Sequence, residues 1–113
     1  MHEMSLTEGV VEILCEEAQK RGFSRVRTLW LEIGALSAVD PAAMEFCFDV
    51  VARGTLAEGA RLEVVRTPGQ GWCLDCEKTV PLEERFGCCP ECGGGHVQMT
   101  GGDEMRVREL EVE

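Results

Sequence analysis

No apolar stretch in the 113 residues approaches membrane-spanning length; runs such as Val50-Val51-Ala52 extend only a few residues. The chain also has no basic leader followed by a hydrophobic segment of secretory length. A soluble, cytoplasmic protein is therefore expected. Basic residues are scarce, 11 against 21 acidic ones, for a formal net charge of -10. That balance opposes the phosphate neutralisation that drives nucleic-acid binding, and no basic stripe interleaved with aromatics appears. A solvated exterior explains most of the acidic charge. There is no Ser/His/Asp set, no phosphate-binding glycine loop and no H-E-x-x-H helix, so nothing supports an independent enzyme. Internal repeats and low-complexity tracts are absent as well.

Cysteine, in contrast, is plentiful, with seven residues. Four of them form two C-x-x-C pairs, Cys73-Leu74-Asp75-Cys76 and Cys89-Pro90-Glu91-Cys92. Each pair lets two thiolates reach one ion from a tight turn, and two such turns complete a tetrahedral shell with no position open to substrate. Structural zinc is the expected occupant. A redox dithiol or merely packed thiols would leave the second pair as coincidence. An odd count and metal-type spacing favour reduced thiols over a secreted disulfide framework. Cys15 has no partner at metal spacing and reads as a small buried or half-buried thiol, whereas Cys47, between two phenylalanines, reads as a core residue.

Along the chain, Ser5-Leu6-Thr7-Glu8 has the form of a capping box, which predicts a helix beginning near Ser5 and ending near Arg21, before Gly22. Leu6, Val10, Ile13, Leu14 and Ala18 make its apolar stripe. A strand is expected from Arg25 to Ile33, closed by Gly34. A second helix follows, with Asp40 as N-cap, Pro41 in the first turn, Met44, Cys47, Phe48 and Val51 on one face, and Gly54 at its end. Arg61 to Arg66 alternates as a strand. Pro68-Gly69 and Gly71 then mark a break, and a metal-held lobe runs from about Trp72 to His96, with Val80, Leu82 and Phe86 as its main apolar content. Gly93-Gly94-Gly95 turns the chain out of the second pair. Residues Glu104 to Val112 return to strand composition and should pair with an earlier strand.

The expected fold is α+β: a small mixed domain of two helices on a short antiparallel sheet, formed by 1–67 and 101–113, with an inserted four-cysteine, zinc-ribbon-like lobe at 68–100. Trp72 shields the cluster or packs between lobes in this reading. His96 reads as an exposed loop histidine, with a metal-ligand role as its alternative.

A second concentration of donors lies at the start. His2 is bulky enough that Met1 would be retained, so the end presents Met1-His2-Glu3. Its α-amine, the amide nitrogens of His2 and Glu3, and the His2 imidazole suit the square-planar preference of Ni(II) or Cu(II), and Glu3 and Asp40 carboxylates could complete a six-coordinate ion. Donor type alone does not choose between those metals.

Met1-His2-Glu3-Met4, the run Trp30 to Ser37, Phe46-Cys47-Phe48-Asp49, the two cysteine pairs and the closing acidic strand together resemble the HypA family of nickel metallochaperones for [NiFe]-hydrogenase maturation. The similarity spans essentially the whole chain. It implies nickel bound at the N-terminal end through His2 and its backbone neighbours, with Met1, Glu3 and Asp40 at supporting positions, and zinc held by Cys73, Cys76, Cys89 and Cys92. The partners it implies are a HypB-type nucleotide-hydrolysing protein and the hydrogenase large subunit; some relatives also serve urease. Cys88 is a departure from the family pattern and a potential competitor for zinc, but only Cys89 makes the C-x-x-C turn with Cys92. The rival reading is a zinc-ribbon module for protein interaction or transcription.

Overall fold

The computed structural model describes residues 2–113 and contains eight elements. Helix α1 spans His2–Arg21, β1 Val26–Gly34, α2 Pro41–Val51 and β2 Arg61–Thr67. Three short strands follow, β3 Gly69–Cys73, β4 Lys78–Leu82 and β5 Val97–Gly101, and β6 Met105–Val112 closes the chain. The strands form two three-stranded sheets, ordered β2-β1-β6 and β4-β3-β5. The α+β class is as expected.

Two compact units divide the chain, the first made of 1–31, 39–65 and 106–113, the second of 32–38 and 66–105. In the first, α1 begins at His2, three residues before Ser5, so the capping-box reading does not hold. The Thr7 hydroxyl donates instead to the Glu3 carbonyl at 2.6 Å, one turn back inside the helix. The buried face of α1 is Thr7, Val10, Val11 and Leu14, spaced i, i+3, i+4, i+7. Ile13, expected inward, is 45 % exposed.

Helix α2 begins as its sequence predicts. Asp40 has extended backbone, its Oδ1 accepts the Ala42 N–H at 3.0 Å, and Pro41 opens the first turn. Met44, Cys47 and Phe48 point inward, and Met44 sulfur meets the Thr7 hydroxyl at 3.6 Å. Gly54, at φ 77°, takes the left-handed conformation just past the helix.

The sheet β2-β1-β6 is mixed rather than wholly antiparallel. Glu113 donates to the Arg25 carbonyl and Gly34 to Glu104, which sets β6 antiparallel to β1. Val26 donates to Leu56 and Ala35 to Thr67, which runs β2 in the same direction as β1. The reason is α2, a helical crossover that returns the chain to the end from which β1 started.

The second unit is richer in strands than its composition foretold. β3 pairs antiparallel with both β4 and β5, with a register shift at Gln70/Gly71. Glycine here serves close approach rather than a break: a Cβ on Gly71 would lie 2.6 Å from Val97 Cγ1 and 2.7 Å from Leu82 Cδ1. Val80 and Leu82 are buried as expected, whereas Phe86 is exposed.

Candidate metal centre

Both cysteine pairs sit on the same local frame. Cys73 ends β3, and the chain turns so that the Glu77 N–H donates to the Cys73 carbonyl at 2.8 Å. In the second pair the Gly93 N–H donates to the Cys89 carbonyl, also at 2.8 Å. Within each turn a backbone amide points at the first sulfur: Cys76 N–H to Cys73 Sγ at 3.3 Å, and Glu91 N–H to Cys89 Sγ at 3.4 Å. Such donors favour the thiolate form that a metal requires.

The four sulfurs converge, all lying within 4.8 Å of one another. Cys73 Sγ and Cys92 Sγ are 3.7 Å apart, and Cys76 Sγ and Cys89 Sγ 3.9 Å. The edge of a regular tetrahedron with zinc–sulfur bonds of about 2.3 Å is about 3.8 Å, so these thiols already stand where four thiolates would surround one zinc ion. Cys73 and Cys89 are buried with Val80, and Cys76 and Val97 pack against them. No other group of three or more Cys, His, Asp or Glu among the described residues forms such a cluster.

Without an ion the sulfurs contest their protons. The Cys92 backbone amide, helped by that of Glu91, lowers the Cys89 thiol from 9.0 to about 7 against the opposing effect of burial. Cys76 is pushed up to about 12 by the neighbouring sulfurs of Cys92 and Cys73 and by burial. For Cys92 the Gly94 amide pulls downward, yet the sulfurs of Cys89 and Cys73 together with burial leave it raised. One thiolate forms readily and suppresses its neighbours, an arrangement that a divalent cation relieves.

Around this centre lie contacts that spacing did not reveal. Lys78 Nζ meets Glu91 Oε1 at 2.6 Å, tying β4 to the second turn, and that carboxylate raises the lysine pKa. His96 is exposed as expected, but its Nδ1 is 3.0 Å from Asp75 Oδ2, inside the first turn. Trp72 stands on the face of β3 opposite Cys73 and is 39 % exposed, so it does not shield the sulfurs. Cys88 is exposed and stays outside the cluster. Cys47 is buried and Cys15 half-buried.

The predicted N-terminal donors lie in the first unit. His2 is exposed at the first position of α1, and Met1 lies outside the described residues. Glu3 and Asp40 are brought together, the Asp40 backbone N–H donating to Glu3 Oε2 at 3.4 Å. The Asp40 carboxylate is engaged in capping α2. No ordered set of three ligand groups forms at this end among the described residues.

A family model described as hydrogenase/urease nickel incorporation metallochaperone, HypA, matches residues 1–112. The chain belongs to the HypA family. Hydrogenase maturation factor HypA of Rhodopseudomonas palustris strain BisA53 is 59 % identical over all 113 residues of both chains. The factor of the same name from Albidiferax ferrireducens is 58 % identical over the same span. The solution structure of the nickel metallochaperone HypA from Helicobacter pylori superposes with a TM-score of 0.75 at 27 % identity, covering 99 % of this chain and 97 % of that one. The α+β fold is thus shared with a solved HypA structure, and the role in hydrogenase maturation follows from family membership.

Proposed function

We propose that this HypA protein is a nickel carrier that takes Ni(II) at its N-terminal end and delivers it to the large subunit of a [NiFe]-hydrogenase, while the four cysteines hold a permanent zinc ion. The cargo ligands are the Met1 α-amine, the backbone nitrogens of His2 and Glu3, and the His2 imidazole. Glu3 and Asp40 support them. Whole-chain family membership together with an exposed His2 at the head of α1 carries this reading. The first amides of an α-helix have no acceptor within it, so those of His2 and Glu3 can exchange a proton for a metal once the first turn opens. An exposed nitrogen site suits a carrier because ligand exchange has an exit path, and its preference for square-planar Ni(II) separates it from the tetrahedral sulfur site.

The division of labour follows the chain, with nickel handled by 1–67 and 101–113 and zinc by 68–100. Zinc supplies cross-linking and shape, since a closed thiolate shell offers no open position. The carrier acts in the cytoplasm without catalysing a reaction itself and works with a HypB-type nucleotide-hydrolysing partner; urease is a second destination. Among the described residues no helix is long and apolar enough to cross a membrane.

Metal analysis and calorimetry on protein with its authentic N-terminus, compared with His2→Ala, test the assignment. The expected result is one zinc in both and nickel only in the unaltered protein. Equal nickel uptake by the two would refute the site. Absence of nickel binding together with tight association with a transcription protein would favour the zinc-ribbon adaptor.

A further inference from the structure

Strand β6 forms one border of the sheet β2-β1-β6, and among the described residues only β1 pairs with it. Along its other side the main-chain groups have no strand to bond, over an element eight residues long. A cavity of about 630 Å³ opens there, lined by residues 107–110 and 112–113 of the chain, by Ile13 of α1 and by Phe23 just past that helix. Successive side chains of a strand point to opposite faces, so a hollow touched by consecutive residues follows the strand's edge rather than either face. Ile13 and Val112, both exposed large apolar residues, flank it.

Charge along this edge is sorted by position. Arg106 and Arg108 stand at even positions and Glu109, Glu111 and Glu113 at odd ones, with Leu110 and Val112 between the glutamates. Two copies of β6 paired antiparallel about a two-fold axis bring residues equidistant from the centre opposite one another on one face, which matches even positions with even and odd with odd. No arginine then meets a glutamate. Every such register centred on a residue from 106 to 112 sets two like charges opposite, Glu109 against itself or against Glu111, for example. The edge is thus guarded against its own copies. Of the charged residues lining the cavity, Glu17 pairs with Arg21 at 2.9 Å, Glu113 pairs with Arg27 at 3.2 Å, and Arg108 is itself engaged. Glu109 alone is left exposed with no hydrogen-bond or ion-pair partner among the described residues.

We propose that the open edge of β6 accepts a fourth strand, an extended segment of another protein in which a lysine or arginine faces Glu109 and alternates with apolar residues. Main-chain hydrogen bonds to β6 give such a segment its affinity, and alternate side chains give it specificity. The cation meets the one uncommitted charge of the cavity, while the apolar residues enter the hollow that Leu110, Val112 and Ile13 line. A helix would leave the unpaired main-chain groups of β6 unbonded, and a second copy of this chain sets like charges together, so neither is the occupant. The site uses none of the cysteines or the N-terminal donors, and it stands whether or not the cargo reading holds.

The test uses the full chain and a blocked synthetic peptide of alternating valine and lysine, with affinity and amide hydrogen exchange followed by nuclear magnetic resonance. Binding should slow exchange at every second amide between Val107 and Val112, the signature of a newly paired edge. A peptide of the same composition with its lysines grouped at one end has equal net charge and should bind about threefold or more weakly. Methylating the amides of the valines alone, or of the lysines alone, blocks one edge of the peptide at a time. Exactly one of those two sets should lose about tenfold or more in affinity. Glu109→Lys, at an exposed position, should keep its melting temperature, reject the valine-lysine peptide and take up an alternating valine-glutamate one. Unchanged exchange along β6, equal affinity for the grouped peptide, an equal response to the two methylated sets, or a dimer of the unaltered chain that protects the same amides would each overturn the proposal.

Discussion

Glu77 and Gly93 occupy the same place in two successive turns, each one residue past the second cysteine of its pair, at φ 53° and 71°. Their amides close the same hydrogen bond, to the carbonyls of Cys73 and Cys89. Glycine adopts this backbone freely, whereas glutamate is strained in it. Glu77→Gly should therefore stabilise the metal-loaded protein by about 1 kcal/mol, and Gly93→Ala should destabilise it by a similar amount. Thermal melts of the zinc-loaded variants check both; equal melting temperatures for all three proteins would show that the turns tolerate strain equally.

The raised Cys76 thiol sets the pH response of the metal-free protein. Its folded pKa of about 12 exceeds the ordinary 9.0, so between those values the folded state holds a proton that the unfolded chain has released. Stability from this group is present below pH 9 and lost as pH rises toward 12. Cys89, lowered to about 7, acts in the opposite direction between pH 7 and 9. Chemical denaturation of zinc-stripped protein should accordingly show weakening above pH 9, while zinc-loaded protein stays flat there because all four sulfurs are already thiolates. Acidification reverses the comparison: protons compete with zinc for the sulfurs, and chelator-assisted release should accelerate as pH falls. A release rate independent of pH would refute thiolate ligation.

Gly34 ends β1 where the chain has no room for a side chain. A Cβ there would overlap the Gly102 carbonyl, and Gly102, itself at φ 91°, has its own missing Cβ space filled by Gly69 and Pro68. Since backbone rather than flexible side-chain ends supplies these contacts, Gly34→Ala should cost on the order of 3 kcal/mol, at the upper end of overpacking effects. Gly9→Ala, with nothing within 4 Å, should instead add helix stability of roughly 0.5–1 kcal/mol. Denaturant midpoints for the pair give the contrast directly, and equal effects would contradict the packing.

Local signals were legible in the sequence, and long-range ones less so. The sulfur cluster follows from spacing because each turn needs only four residues, and α2 follows because Asp40 and Pro41 determine its start from within one turn. The β3-β4-β5 sheet was hidden because its strands have five residues each, and glycines that read as a break are there to let strands and side chains approach. Ser5 misled because a cap-like string carries no information about whether the preceding residues continue the helix. The outward turn of Ile13 likewise depends on tertiary burial, since Leu6 and Ile13 share a helix face on paper, seven residues apart, just as Thr7 and Leu14 do in the fold. At the other end of the chain, His2 was visible as a donor, but not the helix that contains it.

That helix imposes a condition on nickel binding. Successive N–H groups of an α-helix point along its axis from positions about 100° apart around it, so the amide nitrogens of His2 and Glu3 cannot lie in one plane with an ion while both remain helical. The proposed cargo site must open the first turn of α1. Resistance comes from the Thr7 hydroxyl on the Glu3 carbonyl at 2.6 Å, and from Glu3 Oε2, which accepts the Asp40 amide. Nickel addition should lower helical circular dichroism by about one turn, roughly four residues. Thr7→Val removes the hydroxyl while keeping the shape of a buried side chain, so opening becomes easier and nickel should bind more tightly, by roughly three- to tenfold for one hydrogen bond of about 1 kcal/mol. Calorimetry and far-ultraviolet dichroism measure the two effects on the same samples. Full nickel occupancy with no change in helix content would mean that the ion binds through side chains alone, and the backbone nitrogens would drop out of the ligand set.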